Sequence, residues 1–226
     1  MADATVATDV RTPLAALTVE EFTDRLASAE PVPGGGSASA IAASLAASLL
    51  GMVAALTVGR QKYSDYAAGA EQAAAAAADL RHRFLRLADA DAEAYAALVE
   101  AMRLPRESDA ERAARGERLR AAARVASEVP LEMVRSAEDL AAGIEHLAGR
   151  SNINAASDLA VAALLTDAAA HGAAQNVLVN LPSVEDGEWE GRATLELDQR
   201  LDEIERLTSL TREVTGRGTL RDPAGA

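Results

Sequence analysis

From Pro31 to Gly59 the chain carries no formal charge for 29 residues. A run of that length could cross a bilayer, so its composition decides what the chain can become. SASAIAASLAASLLGMVAALTVG is mostly Ala, Ser and Gly, with few large apolar side chains to face lipid. Ser37, Ile41, Ser44, Ser48, Gly51 and Ala55 recur every three or four residues and make one mostly small helical face. Such a face lets two helices approach closely. The run is therefore expected to form a central helix buried on all sides, partly against its symmetry mate in a homodimer, and not a membrane span.

The rest of the chain must pack around that helix with little aromatic material. Hydrophobic residues make up 49% of the sequence but aromatics only 3%. A core of Ala, Leu and Val suits close helix packing better than a sheet, where β-branched and aromatic residues dominate. No Pro/Gly/Ser-rich linker divides the chain, so one domain is expected: an all-α bundle of about five to seven helices. Residues 1–13 read as a disordered arm, 14–217 as the helical domain and 218–226 as a disordered tail.

Helix signals are clear in places. Thr18-Val-Glu-Glu21 is a capping box, and Val19, Phe22, Leu26 and Ala29 give the following helix an apolar stripe. Helical patterns cover Asp65 to Leu104 and Asp109 to Ala148, where Pro130 is expected to kink or break the second. A further helix is expected from about Ala155, with Gly172 as a bend, and another from Asp186 to about Arg217. VLVNL at 177–181 is the one β-like run.

Composition also excludes chemistry. With no cysteine, thiol nucleophiles and Cys-bound metals are ruled out. His82, His146 and His171 are dispersed without ligand spacing, so no metal is expected. A net charge of −13 argues against unselective binding to nucleic acid or an anionic membrane surface. The start, MADATVATDV, has neither a basic region nor an apolar stretch, so a cytoplasmic protein is expected.

Two residue types are placed selectively. All four asparagines, Asn152, Asn154, Asn176 and Asn180, lie within Ser151–Leu181, and Lys62 is the single lysine. Asparagine supplies an amide that both donates and accepts, so its confinement points to specific polar geometry. Pro33-Gly-Gly-Gly-Ser37 leads into the central helix; it is either a tight turn or a set of free amides that bind a ligand. Arg60 and Lys62 in Gly59-Arg-Gln-Lys-Tyr63 either complement a helix C-terminus or hold carboxylates. In Leu-Ala-Asp-Ala-Asp-Ala-Glu-Ala-Tyr, Asp89 and Glu93 share one helical face and Asp91 shares another with Tyr95. A solvated face is the plain reading there, although the alternating alanines leave the carboxylates unobstructed. Asn152 and Asn154 are suited to capping a helix whose first turn holds Asp158. Asn176 lies about 27 Å further along the same face, so the two cannot line one small pocket within a subunit unless Gly172 redirects the chain.

In this order, PVPGGGSASA, GRQKY, DADAEAY, LPRESDAERAAR, VPLEM, NINAASDLAVAALL and GAAQNVLVNL resemble the cyclodeaminase/cyclohydrolase family. That family includes the C-terminal domain of formiminotransferase-cyclodeaminase and stand-alone methenyltetrahydrofolate cyclohydrolases. The resemblance spans roughly residues 18 to 215 and does not include the transferase domain, so formimino transfer from an amino acid is not expected. It departs at Gln61, which reduces the basic cluster, and at Ser151, where glycine is expected.

The resemblance implies a homodimeric helical bundle acting on tetrahydrofolate one-carbon derivatives, with no tightly bound cofactor. Asp158 and Asp91 take acid/base or electrostatic roles, and Asn152 and Asn154 position the one-carbon unit. Arg60 and Lys62 hold the glutamate tail, while Ser37 and the amides of Gly34, Gly35 and Gly36 line the pocket. Cyclodeamination is slightly favoured over hydrolysis. The competing reading is a helical binding or scaffold protein of the same fold without turnover.

Overall fold

The structure is a computed structural model that describes residues 12–223. Among the described residues the chain forms six α-helices and no strand. They are α1 (Val19–Leu26), α2 (Gly35–Ala55), α3 (Ala67–Met102), α4 (Asp109–Leu147), α5 (Ala156–Asn180) and α6 (Gly187–Arg217). VLVNL, β-like in isolation, completes α5 and enters a short 3-10 turn, because its apolar residues sit on a helix already paired with neighbours.

Local chemistry sets the helix starts. Thr18 Oγ1 accepts from the Glu21 amide at 3.2 Å while Glu21 Oε2 accepts from the Thr18 amide at 2.8 Å, as the capping box at α1 requires. Ser108 and Glu111 repeat the arrangement at α4. Asp186 caps α6 by accepting from the Trp189 amide, and Gly218 ends that helix in the left-handed region at φ 64°.

α2 is the central helix, packed on α3 and α5, while α4 packs on α3, α5 and α6. Small residues make these approaches close. A Cβ on Gly51 would meet Ala77 Cβ at 3.5 Å, and one on Gly143 would come within 3.1 Å of Leu50 Cδ2. Ala40, Ala43, Ala47, Leu50 and Ala54 line the buried side of α2.

Two expectations change, at Pro130 and in the tail. Within one chain α2 keeps one open side, the side the expected symmetry mate would have to cover: Leu45 is 55% exposed, and Ser48, Met52 and Ala55 are exposed beside it. Three neighbouring helices cannot cover all of α2, and Val161 and Leu164 of α5 are also about half exposed. α4 continues through Pro130 without a break. A disordered tail is expected from 218, yet within 218–223 Arg221 is bonded to Glu145 Oε1 at 2.7 Å, and its carbonyl accepts from Tyr66 Oη. Residues 1–11 of the expected arm and 224–226 of the expected tail lie outside the described residues.

Both α2 and the segment Ile153–Ser183 are long and apolar enough to cross a membrane by length and composition. Here they are paired core helices, with Ala46, Ala47, Ala162 and Ala163 fully buried.

Candidate active site

The glycine run opens directly onto α2. Gly34 stands at the N-cap with extended backbone and no capping side chain of its own. A carboxylate from another helix stands beside this turn: Asp91 of α3 accepts from Ser37 Oγ at 3.0 Å. Ser37 is fully buried, and its hydroxyl also contacts the Ala88 carbonyl at 3.0 Å. A Cβ on Gly36 would overlap the Asp91 carboxylate, so glycine there makes the approach possible. Burial pushes the Asp91 carboxyl above its ordinary value, and hydrogen bonds from the Ser37 hydroxyl and backbone N–H partly oppose that shift.

Around Asp91 lies a cleft of about 240 Å³, lined among others by Gly34, Gly35, Gly36, Tyr95, Asn176 and Asn180. Asn176 and Asn180 come from the last turns of α5 and are half-buried. Asn176 Nδ2 donates to the Gly172 carbonyl at 2.9 Å. Asn180 Nδ2 donates to the Asn176 carbonyl at 2.9 Å and to the Ala126 carbonyl at 3.0 Å. These two amides were not among the expected site residues. Their signal was the four-residue spacing, which puts both on one helical face.

α5 runs antiparallel to α2, and this divides the remaining expected residues from the cleft. Gly35 faces Asn176, Ser39 faces Gly172, and Thr57 meets Asn152. Arg60, Lys62, Asn152, Asn154 and Asp158 therefore gather at the far end of α2, about 30 Å from Asp91 at the helical rise.

Asn152 there is 4% exposed. Its Nδ2 donates to the Leu56 carbonyl at 3.2 Å, and its Oδ1 accepts from Tyr63 Oη and from the Asn154 amide. Lys62 Nζ lies 5.3 Å from the Tyr63 ring centroid, a cation–π distance. Asp158 is half-buried in the first turn of α5.

A larger cavity of about 480 Å³ lies between residues 12–14, Arg25 and α3. Asp89, Glu93 and Glu100 face it, and Asp89 Oδ1 accepts from the Leu14 amide at 2.7 Å. The smaller cleft is the better candidate, because a buried carboxyl, a helix start and two oriented amides converge there. No cluster of metal-ligating side chains occurs among the described residues.

Fold and cleft together define a class: an all-α helical bundle with a partly buried carboxyl in a cleft at a helix start. The formiminotransferase-cyclodeaminase family profile matches residues 18–199. The chain belongs to that family. It is 37% identical over 190 residues to the methenyltetrahydrofolate cyclohydrolase of Methylorubrum extorquens, covering 84% of this chain and 88% of that protein. Identity to the Mus musculus formimidoyltransferase-cyclodeaminase is 31% over 189 residues, and the match spans only 35% of that longer protein. The formiminotetrahydrofolate cyclodeaminase of Thermotoga maritima superposes with a TM-score of 0.82 at 29% identity, covering 90% of this chain and 98% of that one.

Proposed function

We propose that this chain acts on the one-carbon unit of a tetrahydrofolate, either closing 5-formiminotetrahydrofolate to the 5,10-methenyl form or hydrolysing the methenyl form. The observation that carries this reading is Asp91, a partly buried carboxyl with raised proton affinity beside Asn176 and Asn180. In cyclodeamination N10 attacks the formimino carbon and loses its proton. The bond from that carbon to the former imino nitrogen then breaks as the nitrogen is protonated and leaves as ammonia. In hydrolysis water adds to the methenyl carbon, the carbon–N5 bond breaks, and a proton is released with 10-formyltetrahydrofolate. Each route needs a group that takes and returns a proton near neutral pH, which a carboxyl with raised pKa does better than a solvated one. Neither route calls for a further cofactor.

The expected site residues at the far end of α2 fit this reading through a second copy of the chain. The cleft's 240 Å³ is below the roughly 300–1,000 Å³ of a typical small-molecule pocket, so one chain houses the reacting end of a folate but not all of it. A two-fold axis near Leu45 would cover the exposed Leu45 and Met52 of α2 and lay the two α2 helices antiparallel. Each Asp91 cleft would then approach the partner's other end of α2. Arg60 and Lys62 there are suited to the folate glutamate carboxylates, Asn152 and Asn154 keep their expected positioning roles, and Asp158 becomes a second carboxylate near the substrate.

Hydrolysis is favoured by the 37% identity to a cyclohydrolase of similar extent, and cyclodeamination by the match to the Thermotoga maritima structure. Near-ultraviolet absorbance of the protein mixed separately with the two folates separates them. Faster loss of the methenyl band than in buffer means hydrolysis, and its appearance from the formimino compound means cyclodeamination. No change with either folate, together with no folate-induced thermal shift, would leave the scaffold reading.

A further inference from the structure

Pro130 lies inside α4, where proline has no N–H to give to the carbonyl four residues earlier. That carbonyl belongs to Ala126, and Asn180 Nδ2 donates to it at 3.0 Å from across the helix interface. The other hydrogen of the same nitrogen goes to the Asn176 carbonyl at 2.9 Å. Both acceptors are carbonyls and cannot donate, so chemistry fixes which end of the Asn180 amide faces them. Both donors are used. What Asn180 has left is Oδ1, which has no hydrogen-bond partner among the described residues, on a side chain that lines the Asp91 cleft.

We propose that Asn180 binds substrate by accepting a hydrogen bond from a substrate N–H, and that Pro130 acts as a positioning residue by leaving the Ala126 carbonyl free to hold the Asn180 amide. This rests on reading the cleft as the folate site, and it specifies an N–H donor rather than a carbonyl or carboxylate at that point. Asn176 supports the arrangement, since its Nδ2 is likewise directed to a carbonyl, that of Gly172.

A pair of substitutions separates binding from structural capping. Asn180→Leu removes the acceptor and also strands the Ala126 carbonyl, so both KM and stability should suffer. Adding Pro130→Ala gives that carbonyl its normal helical donor. The double variant should therefore recover its melting temperature while KM stays raised about five- to tenfold, the effect of one lost neutral hydrogen bond. Recovery of wild-type KM in the double variant would overturn the proposal and leave Asn180 a structural cap. Absence of folate turnover in the wild type would instead overturn the reading of the cleft, and this inference with it.

Discussion

Gly36 and Asp91 share one space: a methyl group on residue 36 would overlap the Asp91 carboxylate. Asp91 is short and held by Ser37, so it has little freedom to move aside. Gly36→Ala is expected to displace the carboxylate and break the Ser37 contact, at a cost of about 1–3 kcal/mol from overpacking. Turnover should fall by more than the loss of folded protein explains. Steady-state kinetics beside a thermal melt checks this, and a variant with normal turnover would show that the carboxylate can work from another position.

Ser37 opposes the burial that raises Asp91. Ser37→Ala removes the hydroxyl and its part of that opposition, so the Asp91 pKa should rise further. The limb of the pH–rate profile set by this carboxyl should move to higher pH. An unchanged profile in a folded, active variant would mean that another group sets the limb.

Asn152 ties the far end of α2 to α5 with bonds on both ends of its amide. Asn152→Ala would strand the Tyr63 hydroxyl in a buried place and leave the part-buried Leu56 carbonyl and Asn154 amide without this partner. The expected loss is about 2–3 kcal/mol, measured by denaturant unfolding. A loss near zero would show that these groups find other partners.

Glu196 joins α4 to α6 through a two-bond contact with Arg135 at 2.7 and 2.8 Å, and it also meets Arg200. The Arg135 guanidinium is the main reason its carboxyl falls from 4.5 to about 2. A lowered folded value means the stabilisation is present above 4.5 and is lost as pH falls toward about 2. Because the pair is partly solvated, its worth is about 1 kcal/mol or less. Glu196→Gln should melt below wild type at pH 6, and the gap should narrow below pH 4.5 and close only by about pH 2.

Much of the fold was legible because local chemistry and tertiary packing agree. Thr18 with Glu21 marks a helix start in sequence, and the ends of α3, α4 and α6 fall close to their expected positions. Pro130 misled because the donor that satisfies Ala126 sits 54 residues away, on another helix. Half of the cleft could be read: the glycine run, and Asp91 on one face with Tyr95; Ser37, expected to line the pocket, is instead fully buried behind Asp91 and holds it. The amides of Asn176 and Asn180 were visible as a cluster but not as neighbours of Asp91, because helix pairing brings them there. The same pairing takes Lys62 and Asp158 to the opposite end of α2, which no spacing within one segment reveals.

The most direct test is the folate turnover of Asp91→Asn, a substitution of nearly equal size, with its thermal melt. Burial raises the folded pKa of Asp91, so its contribution to stability is present below 3.8 and is lost as pH rises through the raised value. Near neutral pH the variant should therefore be at least as stable as wild type. If Asp91 is the proton-transfer group, turnover should drop by about a hundredfold or more while the fold stands. Turnover within about threefold of wild type, less than any proton-transfer role accounts for, would contradict the assignment.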